Sequence, residues 1–334
     1  MMKGIKEPPA WRPARRLALV AGAAVAFMVV AGRAQAQDFP SKPIKFIVPF
    51  PPGSGTDTSA RYFAKKLSEM TAQPVVVENK PGANGFIAVR SVLSAPADGY
   101  TVFVGSNSTL AVNTALFKAL PYDPVADFAP LTMMMRAPAL LIVPPTSSYK
   151  SMADLIAAAR AQPDKLDYGA GSAGYQLMAE LFNESAKVQT HHVPYKGASE
   201  AISAVVAGTV QMAFADVTGS FELVKGGKLR ALAVASERRL SALPDVPTAA
   251  EAGLPGFTAY IWVAAVVAAK TPKAEVDKLA ALMSKIEALP ETREFYERLG
   301  AEVMPSGPQE MRTFQNAEIQ LWKRIAAKAK VEQQ

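Results

Sequence analysis

The stretch VPFPPGSGTD, Val48 to Asp57, decides how this 334-residue chain is read. It follows an apolar β-type run, Ile44 to Val48, and precedes a segment with Ala60, Phe63, Leu67 and Met70 at helical spacing on one face. A strand, a Gly/Pro turn and an amphipathic helix, in that order, open an α/β layer. Glycines let the backbone turn sharply and present free N–H groups, and a helix N-terminus adds partial positive charge, so the turn suits an anion. It suits equally a tight strand-to-helix turn with Thr56 or Asp57 as N-cap.

Toward the C-terminus the same alternation continues. Val75 to Val77 and Tyr100 to Val104 read as strands around a helix from Phe86 to Leu93, which makes a βαβαβ half. After Pro130 a second series begins, with a strand at Ala139 to Val143 and a helix opened by Ser151 and Asp154, a capping-box pattern. Leu177, Met178, Leu181 and Phe182 line one face of another helix, and strands are expected at His191 to Val193, Met212 to Ala215 and Leu229 to Val234. Pro- and Gly-rich punctuation from Leu243 to Gly256 closes this part, and the apolar run Tyr260 to Val267 crosses back. The C-terminal part is helical, with Met311, Phe314, Leu321 and Ile325 as its packing stripe. The expected fold is α/β around a mostly parallel sheet, with one lobe from residues 37–135 and 260–334 and the other from residues 136–259. A cleft between two such lobes is a favoured ligand site.

Toward the N-terminus, Lys3, Lys6, Arg12, Arg15 and Arg16 precede an uncharged stretch, Leu17 to Gly32, too short to span a bilayer comfortably. Arg33-Ala34-Gln35-Ala36 then offers an A-x-A cleavage pattern, so residues 1–36 read as a secretory signal peptide and Gln37 as the first mature residue. The twin arginines Arg15-Arg16 leave both Sec and Tat export open. Removing this leader takes the formal net charge from +7 to +2, because it holds six basic residues and one acidic residue. The apparent basicity therefore belongs mainly to the export signal, and no basic stripe interleaved with aromatics points to nucleic acid. With no cysteine there is no disulfide, thiolate metal site, thiol nucleophile or lipidated cysteine. The mature chain is expected free in the periplasm.

Two more glycine-rich loops carry chemistry. GAGSAG, Gly169 to Gly174, has GxGxxG spacing, but Asp164 to Tyr168 is too polar for a buried Rossmann strand, and Pro194-Tyr195-Lys196 stands where the acidic residue belongs. The same loop resembles a nucleophile elbow with Ser172 in the serine position. The only histidines, His191 and His192, precede Asp216 instead of following an acid, which breaks the triad order. Adjacent histidines without cysteine partners also make a poor metal site; one on each face of a short strand is the better reading. PYKGASE, Pro194 to Glu200, places Tyr195, Lys196 and Gly197 at a helix start, where Lys196 either neutralises an acid or is simply solvated. No catalytic constellation, metal site or cofactor fingerprint is complete, so a binding protein is favoured over a hydrolase or dehydrogenase.

VPFPPGSGTD with Ala60-Arg61, VVVENKPGANG (Val75 to Gly85), PADGYT (Pro96 to Thr101), LPYDPVADFAP (Leu120 to Pro130), VPYKG (Val193 to Gly197), GGKLRALAV (Gly226 to Val234) and LPDVPTAAEAGLPGF (Leu243 to Phe257) resemble, in order and over the whole mature chain, the solute-binding proteins of tripartite tricarboxylate transporters, the Bug family. The resemblance implies a type II periplasmic-binding-protein fold whose lobes close on a small carboxylate, such as a di- or tricarboxylate, an acidic amino acid or an aromatic acid. It implies a monomer, without cofactor or metal, that delivers its ligand to membrane permease subunits. Carried over by position, one pincer is Gly53, Ser54, Gly55, Thr56 and Asp57, and the other is Gly171, Ser172, Ala173 and Gly174. Tyr195, Lys196, Gly197 and Asp216 lie nearby, Phe50 forms a wall, and Ser106 and Asn107 supply hydrogen bonds. Two departures stand out. The family's usual AGGGTD is here Pro52 followed by Gly53-Ser54-Gly55-Thr56-Asp57, which puts ligand identity in doubt, and its APAGTP is shortened to Ala268-Ala269-Lys270-Thr271-Pro272. The alternative function is an extracytoplasmic ligand sensor signalling to a membrane kinase; a transcription regulator would need a helix-turn-helix and no export signal.

Overall fold

A strand hidden on both faces must be apolar throughout, and β1 (Ile44–Val48) comes close: Ile44, Phe46, Ile47 and Val48 are at most 2% exposed. The computed structural model describes Met1, Gly4 and residues 39–334, so the signal-peptide reading falls outside the described residues. Helix α1 (Gly55–Thr71) covers β1 with Ala60, Phe63 and Leu67 and stops where Ala72 takes left-handed dihedrals at φ 55°. Met70 does not share that face: burial along α1 ends at Leu67, and Met70 in the last turn is 41% exposed. Strand β2 (Val75–Asn79), helix α2 (Phe86–Leu93) and β3 (Thr101–Ser106) follow, with β1 pairing in parallel with both other strands.

After β3 the chain makes a π-helical turn, Ser108–Val112, continued by α3 (Asn113–Leu116). Strand β4 (Phe128–Val143) is 16 residues long, so the expected strand at Ala139 to Val143 is only its tail. Pro130 and Pro138 read as breakers because proline cannot donate to a ladder. Register shifts at Pro130/Thr132 and Met133/Met135 accommodate the irregular pairing in the proline-bearing part of the strand.

Helix α4 (Met152–Ala161) carries the anticipated capping box: Ser151 Oγ accepts from the Asp154 N–H at 3.1 Å, and Asp154 Oδ2 accepts from the Ser151 N–H at 3.0 Å. Strand β5 (Asp167–Ala170) has no clear signature because its first residue is polar, yet Tyr168 is fully buried, its hydroxyl donating to Glu180 Oε1 at 2.7 Å. Then come α5 (Ala173–Ala186), β6 (His191–Pro194), α6 (Ala198–Val206), β7 (Met212–Asp216), α7 (Val217–Lys225) and β8 (Arg230–Val234). The chain closes with β9 (Tyr260–Ala268), α8 (Lys273–Glu287), α9 (Pro290–Arg298), β10 (Glu302–Val303) and α10 (Pro308–Lys328).

The strands form one sheet in the order β2-β1-β3-β9-β4-β7-β5-β6, with β8 and β10 also on β4. It is mixed, not mostly parallel as expected. Two parallel wings, β2-β1-β3 and β7-β5-β6, are joined by β9 and β4, which pair antiparallel with each other and with their neighbouring wings. Along β4, Phe128 to Pro138 pair with β9 and Ala139 to Ile142 pair with β7, so the changeover lies inside one unbroken strand. Residues Lys42–Gln334 make a single compact unit.

Of the expected packing stripe of α10, Met311 is in the core and Phe314 and Ile325 pack half-buried against it, while Leu321 falls off the face. Met311, Gln315, Ile319, Trp322 and Ala326 face inward while Leu321 is 37% exposed, because the Gln315 amide donates to Leu110 O and Pro124 O, both at 2.9 Å, and so enters the core satisfied. Glu318 of α10 accepts from the indole N–H groups of Trp262 at 2.8 Å and Trp322 at 3.0 Å, fastening the helix to β9. Among the described residues no helix is long and apolar enough to cross a membrane.

Candidate ligand-binding site

Because strands β1 and β3 run parallel in one wing and β5, β6 and β7 in the other, their following loops gather along one crevice, the position where open α/β sheets bind ligands. At its bottom lies an inner cavity of about 10 Å³, room for roughly one water. Its walls include Ser54, Gly55 and Thr56 at the start of α1, Ser106, Asn107 and Ser108 after β3, Ser172 at the start of α5, Ala198 at the start of α6, and Asp216 at the start of α7. Phe50, Tyr175 and Ile261 complete it. First-turn N–H groups lack intrahelical acceptors, so several helix starts aimed at one point make a donor-rich pocket, with the Asp216 carboxylate as its one charged wall. No Lys or Arg lines it.

Asn107 is fully buried there, and neither its Oδ1 nor its Nδ2 has a partner. Asp216, in contrast, is fully engaged: one carboxylate oxygen accepts from Thr218 Oγ1 and from the Gly219 N–H at 2.8 Å, the other from the Tyr175 hydroxyl at 2.5 Å. Burial first, and the Asp216 charge next, hold the Tyr175 phenol well above its ordinary pKa, so it remains a donor. Asp216 thus caps α7 and orients Tyr175.

The two wings touch across the crevice. Ser108 Oγ donates to Ser172 Oγ at 2.9 Å and accepts from the Gly174 N–H at 3.1 Å. Gly197 lies so close to the β1 loop that a Cβ there would fall 2.3 Å from Pro51 Cδ. Outside the inner cavity a wider mouth of about 540 Å³ opens, and Phe50 and Ser172 line both spaces.

The family model for the "tripartite tricarboxylate transporter family receptor" matches residues 59–331. The chain belongs to that receptor family. Among its relatives, the protein BugT of Bordetella pertussis is 35% identical over 314 residues, covering 92% of this chain and 95% of BugT. Among solved structures, Rpa4515 of R. palustris, determined with adipate, superposes with a TM-score of 0.86 at 33% identity, covering 89% of this chain and 100% of the other. MatC of Rhodopseudomonas palustris, determined with malate, superposes at 0.81 with 31% identity, covering 86% and 99%. Receptors of this family bind solutes and are not enzymes, and the fold is the mixed α/β periplasmic-binding-protein fold of the Bug structures.

In this receptor the residues singled out from sequence fall into three groups. Phe50, Ser54, Gly55, Thr56, Ser106, Asn107, Ser172 and Asp216 meet at the inner cavity, while Gly171, Tyr195 and Lys196 line the mouth with Phe50 and Ser172. Gly53, Asp57, Ala173, Gly174 and Gly197 line neither space and act on the loops. The N-cap of α1 is Ser54, not Thr56 or Asp57: Ser54 Oγ accepts from the Asp57 N–H at 3.2 Å. Asp57 turns back into its own loop, accepting from the Gly53 N–H and Arg61 Nε at 3.0 Å each and from Asn79 Nδ2 at 2.8 Å. The histidines do separate: His191 Nδ1 faces Asp167 Oδ1 at 3.0 Å, while His192 stacks on Tyr168.

Of the inner-cavity residues, Ser108, Tyr175, Ala198 and Ile261 went unread. Ser108 continues the Ser106-Asn107 pair, and Tyr175 follows Ser172 at helical spacing, so both had a faint positional signal; Ile261 is one apolar residue in an apolar run and had none.

Proposed function

We propose that this receptor is a periplasmic protein that captures a small organic carboxylate in its crevice and delivers it to the membrane subunits of a tripartite transporter. The observation that carries the reading is the buried, unpartnered Asn107 amide in a cavity walled by helix starts and free of cationic side chains. A buried amide without partners is costly unless something else bonds to it, and a carboxylate can accept from its N–H₂ while facing the helix starts. Hydrogen bonds to a charged group contribute about 1.5 to 3 kcal/mol each, so a few such donors hold a carboxylate without a lysine or arginine. The adipate and malate bound by its structural relatives belong to the same chemical class. The wings part to admit the ligand, because about 10 Å³ does not accommodate an organic acid, and close again over it.

A thermal-shift screen of the purified protein against mono-, di- and tricarboxylates tests this, since a ligand that binds only the native state raises its apparent stability. A rise with one group of acids is expected; a flat response to every acid would refute the reading.

A further inference from the structure

The loop that carries Phe50 into the crevice has little backbone bonding of its own. Between Val48 and Ser54 the chain reads Pro49-Phe50-Pro51-Pro52-Gly53, so three of these five residues bring no N–H. The backbone bond that closes the turn, from the Ser54 N–H to Pro51 O, is long at 3.4 Å.

Side chains behind the loop hold it instead. Asn79, the last residue of β2, lies beside Val48 in the parallel ladder and donates through Nδ2 to Phe50 O at 2.9 Å and to Asp57 Oδ1 at 2.8 Å. Asp57 Oδ2 accepts from the Gly53 N–H and from Arg61 Nε, and Arg61 Nη2 donates to Asn79 Oδ1, all at 3.0 Å. Asn79, Asp57 and Arg61 therefore make a closed triangle in which each side chain bonds to the other two. The triangle grips the proline turn on both sides, at Phe50 and at Gly53. Its members line neither the inner cavity nor the mouth, but the loop they hold does: Phe50 walls both spaces, and Pro51 meets Gly197 of the other wing.

We propose that Asn79 is a positioning residue for solute binding, which touches no ligand and acts by fixing the Phe50–Gly53 loop to the sheet so that the second wing closes against it. The prolines stiffen the loop without fixing where it lies, and the Asn79 amide supplies that link. The proposal deepens the solute-binding reading above, on which its affinity test rests.

Hydrogen exchange on the ligand-free protein tests the positioning with no ligand at all. In Asn79→Leu the amides of residues 53–57 should exchange about tenfold faster, because the bonds to Phe50 O and to the charged Asp57 are lost together, while the melting temperature stays close to the unaltered value. Calorimetry with adipate and malate should show affinity about tenfold weaker in the same variant. Arg61→Gln, a change at an exposed side chain that leaves Asn79 in place, should give the same pattern to a smaller degree. Glu78→Gln, one residue back along β2 with its carboxylate facing Lys45 and Lys80, should change neither readout. Exchange unaltered at residues 53–57 in Arg61→Gln and in folded Asn79→Leu would overturn the proposal, and so would faster exchange with full affinity. A lowered melting temperature with faster exchange across the whole sheet would assign Asn79 to the strand instead of the loop and would also overturn it. If neither acid binds the unaltered protein, the exchange measurement decides the positioning by itself, so its failure and that of the carboxylate reading stay distinct.

Discussion

Gly197→Ala is a wedge placed between the wings. Gly197 has φ −174°, extended backbone that alanine adopts without penalty, so the substitution adds one methyl group and no backbone strain. That methyl would lie 2.3 Å from Pro51 Cδ and 2.9 Å from Pro51 Cγ, whereas ordinary contact begins at 3.4 Å, so Pro51 must retreat by about 1 Å. Pro51 belongs to the loop after β1 and Gly197 to the start of α6, on opposite sides of the crevice, so the clash arises only when the wings meet. Overpacking of this kind costs about 1 to 3 kcal/mol, which weakens ligand binding by roughly ten- to a hundredfold. The cost is confined to the closed arrangement, so the melting temperature without ligand should stay close to the unaltered value. Calorimetry with the strongest acid from the thermal-shift screen reads the affinity, and small-angle scattering reads the compaction on binding. If Gly197→Ala binds with unchanged affinity and compacts to the same radius, the idea that binding requires this contact is wrong.

Three further substitutions test separate parts of the structure. Asn107→Leu should weaken the best acid by tenfold or more in calorimetry while leaving urea stability unchanged or higher, because an apolar side chain removes two unpartnered buried atoms. Glu287 is buried with its Oε2 unpartnered and its other oxygen accepting from Thr132 Oγ1 at 2.6 Å, and burial pushes its pKa up to about 8. The fold therefore prefers the protonated acid, so its contribution is fully present below the ordinary value of 4.5 and is lost as pH rises from there to about 8; in urea titrations Glu287→Gln should flatten that decline. Lys196→Ala should weaken a monocarboxylate less than amidating its carboxyl group does, since Lys196 lines the mouth and not the inner cavity; calorimetry showing the reverse order would replace the helix-start cradle with an ion pair.

Local chemistry was the legible part of this sequence. The helix Phe86–Leu93 and the Ser151–Asp154 cap are written in adjacent residues, and both match the structure. Strand β4 was half hidden because its prolines are tolerated only through irregular pairing with a partner, β9, more than a hundred residues away. The same limit governs the site. Glycine-rich loops mark where backbone turns toward a ligand, and all three do reach the crevice. Which side chain points into it depends on the packing of distant strands: Asp57 looked like a contact and is spent on its own loop, while Ser108 became the bridge between the wings. Gly174 is a related case, since its φ is not left-handed and its smallness matters because a Cβ would come within 2.7 Å of Ser108 Oγ.

The alternation of β9 has an optical consequence. Ile261 lines the inner cavity, while its neighbour Trp262 points to the other face of the strand and gives its indole N–H to Glu318, which Trp322 shares. Outside residues 1–36 these are the only tryptophans in the chain. Both fluorophores therefore report from one half-buried carboxylate, a single residue along the strand from the inner cavity. A molecule that presses on Ile261 shifts the strand carrying one of the two emitters, so near-ultraviolet emission follows occupancy of the crevice without an attached dye.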